Sequence, residues 1–241
     1  GSTFYHQGRP YKAVEGIYPK GEVVESTNTL FSAHREFPGG TESYYLHGKG
    51  FVYENPQGQE CTLVLDCRAQ DDLSSWGRNY TLAHSQGCVV VTFNKQNTAE
   101  EQGEEYSFVV AVCAPNLQYK PVKKWVEQAY PYDTQRHSNP DSRWVYQALR
   151  FKSTIGVGYG FDKKQAIAHA KRLLQNHDKT KQQQEKTVVG LINKDNSLSA
   201  QCARASLHGL TTKEGIRAGI PWFTEYWSRD ELISCKAAGN I

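Results

Sequence analysis

The chain has 241 residues and a mass of 27.2 kDa, and 38% of its residues are hydrophobic, which is enough for a packed core in one large or two small domains. Its formal net charge of +3 is too small to indicate a nucleic-acid or membrane partner. No apolar run approaches the ~20 residues of a transmembrane helix, and no signal-peptide pattern is present.

Residues 1 to about 150 alternate short β-branched and aromatic runs with turns rich in Gly, Pro and Asn. The runs lie at residues 43–47, 51–53, 61–65, 80–83, 88–93 and 106–112. This spacing predicts an antiparallel β-sandwich. Residues 122–130 are compatible with a short helix or a strand, and residues 144–152 indicate a further strand.

The pattern becomes helical after residue 160. Asp162 is the expected N-cap of a helix whose apolar face is formed by Ala166, Ile167, Ala170, Leu173 and Leu174. A Gln-rich helix tail or linker follows at 179–186, then an amphipathic helix over 195–210 and another beginning near Ser228. Strands followed by helices predict a mainly β protein with α, in two units rather than one alternating sheet.

The six cysteines, at 61, 67, 88, 113, 202 and 235, include no C-x-x-C pair. Their even number allows disulfides, but at this chain length we favour reduced, mostly buried thiols in a cytoplasmic protein. The eight histidines form no metal-binding motif. We therefore expect no metal site.

Two other segments have a structural and a functional interpretation. Residues 156–160 (GVGYG) depart from the spacing of a dinucleotide-binding loop and favour a tight strand-to-helix turn. Residues 66–78 contain Asp66, Arg68, Trp76 and Arg78. We favour a salt-bridged turn there, and the alternative is a loop that offers Arg, Asp and Trp to a sugar.

The strongest chemical signal lies in residues 218–231. Large aromatic residues are followed at once by Arg229 and Asp230. A sugar pocket explains both features, because Trp stacks on the apolar face of a sugar ring while Arg and Asp bond adjacent hydroxyls. The alternative is a structural salt bridge under aromatic packing.

This segment resembles the P-W-F-x-x-x-W-x-R-D motif that opens the catalytic domain of prokaryotic glycogen debranching enzymes of the amylo-α-1,6-glucosidase type. Its W-x-R-D part is also similar to glucoamylases. The Asp66–Arg78 segment and residues 130–136 (YPYDTQR) resemble the N-terminal domain of the same family.

The resemblance implies an architecture with three parts. These are an N-terminal β-sandwich of the glucoamylase type over residues 1–155, a linker helix over 156–190, and the start of an (α/α)6 glucosidase domain over 191–241. Since such a barrel needs many more helices than follow residue 190, we expect this chain to be a fragment.

The resemblance also implies hydrolysis of α-1,6-linked glucose stubs in glycogen or limit dextrin, with inversion and without a metal or organic cofactor. The substrate-binding residues that match the family are Trp222, Phe223, Tyr226, Trp227, Arg229 and Asp230. Inversion needs an acid and a base with carboxyl groups about 6.5–9.5 Å apart. In the family this pair lies further along the barrel, so we assign neither role here.

Two alternatives stay open. A non-catalytic glucan-binding module would bind oligosaccharides without hydrolysing them, and a glucoamylase-like exo-hydrolase would prefer α-1,4 links. Under all three interpretations the partner is an α-glucan such as glycogen, limit dextrin or a maltooligosaccharide.

Overall fold

The computed structural model of the chain describes residues 2–72, 74, 76–97, 103–192, 197–212, 215–218 and 234, with the side chains of 191, 192 and 198 excepted. Within them the chain forms thirteen strands and four helices. The strands are β1 (Ser2–His6), β2 (Arg9–Pro19), β3 (Glu25–Asn28), β4 (Ser32–Phe37), β5 (Gly40–His47), β6 (Gly50–Glu54), β7 (Cys61–Leu65), β8 (Arg78–Ser85), β9 (Cys88–Lys95), β10 (Tyr106–Cys113), β11 (Tyr119–Ala129), β12 (Ser142–Phe151) and β13 (Ile155–Gly160). The helices are α1 (Pro131–Gln135), α2 (Lys163–Gln175), α3 (His177–Ile192) and α4 (Leu198–Leu210).

The strands form two antiparallel sheets. One has five strands in the order β1-β2-β7-β12-β11, and the other has eight in the order β3-β4-β5-β6-β13-β10-β9-β8. The main hydrophobic core draws on both sheets, for example Leu63 and Phe151 from the first and Phe93 and Phe108 from the second. The predicted mainly β class is therefore confirmed, whereas the (α/α)6 domain stays a prediction.

The ambiguous segment around residue 125 is a strand. Trp125 of β11 lies opposite Tyr146 of β12, and the pairing extends from Tyr119 to Ala129 with one irregularity after Pro121. Trp125 packs edge-on against its cross-strand partner Tyr146 and against Tyr80 of β8 in the other sheet, and these aromatic contacts stabilise the strand form.

Helix α2 covers the outer face of the eight-stranded sheet. Its Ala166, Ile167 and Ala170 pack against Val90 and Val109 in a second core cluster. Asp162 caps the helix as predicted, since its side chain accepts a hydrogen bond from the Gln165 amide over 2.7 Å. Strands β9 and β10 are consequently buried on both faces.

Glycines in β13 allow this helix to lie close to the sheet. A Cβ added to Gly158 would lie 2.4 Å from the Ala166 carbonyl oxygen, and one added to Gly156 would lie 2.5 Å from that of Ala170. Residues 155–160 therefore form a strand under a helix rather than the tight turn that the glycine spacing favoured. The predicted domain boundary at residue 156 falls inside this strand.

Gly158→Ala is expected to lower the free energy of unfolding by about 1–3 kcal/mol, because backbone atoms of α2 occupy the space that the methyl group needs. Gly190→Ala in α3 is the control, since no atom lies within 4 Å of its added Cβ, and helix propensity favours Ala by roughly 0.5–1 kcal/mol. Urea denaturation measures both. A Gly158→Ala variant as stable as the parent would contradict the close packing.

The structure corrects the prediction that all cysteines are reduced. Cys88 and Cys113 form a disulfide, because the antiparallel register of β9 and β10 places them opposite each other with their Cα atoms 4.5 Å apart. Cys61 and Cys67 are free and buried, as expected, and Cys202 is free and exposed. Disulfides persist mainly in oxidising compartments, so thiol chemistry no longer argues for a cytoplasmic location.

The chain forms two compact units. The first comprises residues 1–27 and 33–177, and the second comprises residues 28–32 and 178–241. In the second unit, Phe31 contacts His208 of α4 edge-on with ring centroids 6.1 Å apart, and Thr29 closes a turn by hydrogen-bonding to Ser32. Among the described helices, none combines the length and apolar character that a bilayer span requires.

Candidate functional site

The predicted sugar-contacting segment lies outside the described residues. It contains every residue assigned to substrate by resemblance, namely Trp222, Phe223, Tyr226, Trp227, Arg229 and Asp230. The neighbouring carboxylates Glu225 and Glu231 lie outside as well. The grouping of these residues around a glucose unit therefore stays a prediction.

Asp66 and Arg68 form a buried ion pair just after β7. Arg68 donates from Nε to Asp66 Oδ1 over 2.5 Å and from Nη2 to Oδ2 over 3.2 Å. Asp66 is 0% exposed and Arg68 is 2% exposed. Burial lowers the pKa of the Arg68 guanidinium, but the hydrogen bond and charge of Asp66 outweigh burial and raise the pKa overall.

Arg78 is buried beside this pair and against an aromatic cluster. Its Nη1 lies 3.8 Å from Asp66 Oδ1 and donates to the Trp144 carbonyl over 2.8 Å. Its guanidinium carbon lies 4.6 Å from the centroid of the Trp125 ring, a cation–π distance. Burial, and then the charge of Arg68, lower the pKa of Arg78.

The arrangement favours the salt-bridged turn over the sugar-binding loop. Asp66, Arg68 and Arg78 are buried and bonded to one another or to backbone carbonyls, so their polar atoms cannot reach a sugar. Trp76 differs, because it is 72% exposed. Its backbone is held in place by Lys95 Nζ, which donates to the Trp76 carbonyl over 2.9 Å.

A polar cavity of about 280 Å³ lies beside this loop. Its lining comes from this loop, the start of β2, and β9 and β10 with the connection between them. It consists of Arg9, Asp72, Ser74, Lys95, Asn97, Gly103, Glu104 and Tyr106. No sequence motif indicated this cavity, because residues such as Arg9 and Glu104 are separated by 95 positions along the chain.

The polar groups of this cavity are fixed by contacts within the protein. Arg9 donates to Asp71 over 3.0 Å and to Glu104 over 2.5 Å. The Asn97 side chain both donates to and accepts from the backbone of Gly103. Two positive and two negative side chains line the cavity, so a neutral ligand rich in hydroxyl groups matches it better than an ion does.

A second titratable cluster lies inside the core around Glu42. The carboxylate is 0% exposed, accepts a hydrogen bond from the Tyr53 hydroxyl and pairs with Arg35. Burial raises the pKa of Glu42, and it also raises the pKa of the Cys61 thiol to about 11. Neither described cavity is lined by these residues, which indicates a structural network.

Among the described residues, no group of three His, Cys, Asp or Glu side chains is placed to hold a metal ion. Comparison of the chain with models of protein families, with curated proteins and with solved structures finds no match in any of the three.

Proposed function

We propose that this chain belongs to an α-glucan hydrolase of the glycogen-debranching type, which removes α-1,6-linked glucose stubs from glycogen or limit dextrin. The observation that carries the proposal is the segment Pro221–Asp230, which combines an aromatic run with an Arg-Asp pair. The two antiparallel sheets are compatible with the β-sandwich expected to precede such a segment.

In this proposal each residue type of the segment has a role. Trp227 provides a stacking surface for the terminal glucose, with Phe223, Trp222 and Tyr226 as further aromatic walls. Arg229 donates to adjacent hydroxyls, and Asp230 accepts from them. Hydrolysis proceeds with inversion through a separate acid and base, and we assign neither of these to a residue of this chain.

A non-catalytic glucan-binding module is the second candidate function. The polar cavity favours it, because a balanced set of fixed donors and acceptors suits a neutral saccharide. The exposed Trp76 belongs to the loop that supplies Asp72 and Ser74 to the lining, and its ring could stack on a sugar. This candidate requires no acid or base.

Titration with maltoheptaose, followed by calorimetry, separates the two candidates. Trp227→Ala is expected to weaken binding about tenfold or more if the Pro221–Asp230 segment forms the sugar site. Loss of binding in Trp76→Ala alone would support the module instead. Trp144→Ala is the matched control, because this exposed side chain belongs to neither candidate site. No saturable binding by the parent chain would contradict both.

Glucose release from phosphorylase-limit dextrin and from linear maltodextrin tests the reaction itself. Preference for limit dextrin supports debranching, whereas preference for the linear substrate supports the glucoamylase-like alternative. Steady release by the 241-residue chain would place the acid and base within it, and Glu225, Asp230 and Glu231 would then be the first carboxylates to replace.

A further inference from the structure

The larger of the two cavities described here, about 650 Å³, lies in the first unit where β1, the β5–β6 turn, the end of β13 and α2 approach one another. Its volume falls within the range of about 300–1,000 Å³ that is usual for small-molecule sites. Of the residues that line it, the sequence patterns included Tyr159 and Gly160 in the segment favoured as a turn, and Asp162 and Ala166 in the predicted helix. Its walls differ in chemistry, and each restricts what a ligand can be.

One wall is aromatic and apolar. Phe4 and Tyr159 lie in the core with 5% and 3% of their surface exposed, and Phe161 contacts both Phe4 and the ring of the exposed residue His6. The His6 and Phe161 ring centroids are 4.6 Å apart. This wall favours a ligand with a ring or another compact body that has an apolar face.

A second wall carries two cations. Lys49 lies in the β5–β6 turn and Arg172 lies on α2, and among the described residues neither is paired with a carboxylate. Arg172 Nη2 lies 2.9 Å from Nδ1 of His169, which also lines the cavity. Two cations without acidic partners favour a ligand that carries a negative group.

His169 fixes the orientation of Arg172. Burial lowers the pKa of His169, and the charges of Arg172 and Lys49 lower it further. The neutral imidazole can therefore accept the guanidinium hydrogen bond through Nδ1 at neutral pH. Lys49, His169 and Arg172 all line the same cavity.

The remaining polar groups suit hydroxyls. Asp162 uses Oδ1 to cap α2, which leaves the other carboxylate oxygen as an acceptor, and Gln165 offers both a donor and an acceptor. A carboxylate at this position repels a second negative group on the ligand, but it accepts hydrogen bonds from hydroxyl groups.

From these walls we propose that the cavity binds a sugar phosphate, with the phosphate between Lys49 and Arg172, the ring against Phe161 and the hydroxyls at Asp162 and Gln165. The site uses no residue of the Pro221–Asp230 segment, and the proposal does not depend on the function proposed for that segment. The group that the cavity would recognise is a hexose phosphate monoester. It could come from a free metabolite or from a glucan that carries it.

Calorimetric titration of the 241-residue chain with glucose 6-phosphate, glucose and inorganic phosphate tests the site. Glucose 6-phosphate is expected to bind at least about tenfold more tightly than either part alone, because only the complete molecule uses all the walls. A maltooligosaccharide that carries one phosphate monoester is the second arm. Tighter binding of that probe than of glucose 6-phosphate would identify the glucan-borne source.

Lys49→Gln and Arg172→Gln are each expected to weaken binding of the phosphorylated probe about tenfold or more. Lys164→Gln, which removes the same charge from an exposed position of α2 outside the cavity, is the control and should bind like the parent. Since Lys49 lies in an exposed turn, its replacement tests the site even if Arg172→Gln disturbs the helix. The proposal is overturned if neither phosphorylated probe binds saturably, or if both glutamine variants bind like the parent.

Discussion

Arg68→Met is expected to lower the free energy of unfolding by about 3–5 kcal/mol, because removing one partner of a buried ion pair leaves an uncompensated charge. Asp66 would keep Arg78 as its nearest cation, but that contact is 3.8 Å long, whereas Arg68 approaches to 2.5 Å. Met keeps much of the side-chain volume, so the change in packing is small. Urea denaturation followed by far-ultraviolet circular dichroism measures the effect.

The matched control is Arg150→Met. Arg150 lies 3.8 Å from Glu60, and their side chains are 50% and 37% exposed. Solvent screens such a pair, so the expected change is about 0–1 kcal/mol. Equal effects of the two substitutions would show that the Asp66–Arg68 pair is not buried as described. A stable Arg68→Met variant with weakened maltoheptaose binding would restore the sugar-binding interpretation of residues 66–78.

Asp230→Asn is expected to reduce turnover on limit dextrin by about 100- to 1,000-fold in a preparation that releases glucose, if Asp230 bonds the hydroxyls of the terminal glucose. The reason is that such bonds strengthen as the sugar ring distorts toward the transition state, so their loss lowers the turnover number more than it changes binding. Steady-state kinetics gives kcat and KM, and the thermal unfolding temperature shows whether the fold is retained.

Asp178→Asn is the control for this experiment. Asp178 is an exposed residue in the first turn of α3. The change removes the same charge from a residue that has no role in the proposed sugar site, so turnover should stay near that of the parent. Near-normal kinetics for Asp230→Asn would remove Asp230 from the site. An equal loss in both variants would point to a general effect of charge or stability.

Much of the secondary structure was predictable because its determinants are local. The apolar spacing from Ala166 to Leu174 and the Asp162 cap identified α2 before any contact was known, and its buried face is the one expected. The strands bounded by Gly and Pro turns were predicted on the same basis. The segment around Trp125 was ambiguous because its conformation is decided by pairing with β12, and pairing is not encoded by spacing along one strand.

The candidate sites likewise divide into one that contiguous residues identify and others that join residues far apart in the sequence. Residues 222–230 were identified by contiguous residue types, whereas the polar cavity joins Arg9 to Glu104 and the larger cavity joins Phe4 to Arg172. No motif connects residues so far apart. Asp66 and Arg68 were recognised as a charged group, but whether they face solvent or each other depends on the burial of the turn.

Residue patterns within short stretches of the sequence were therefore enough to predict the mainly β class and the position of α2. They were also enough to indicate the chemical character of the Pro221–Asp230 segment. These properties follow from interactions over a few residues, such as periodic apolar positions, caps and turns. The Cys88–Cys113 disulfide, the buried Asp66–Arg68 pair and both cavities arise only when distant strands and α2 pack together. Long-range register and burial decide them, because the same residue types are compatible with solvent exposure until the sheets and the helix are in place.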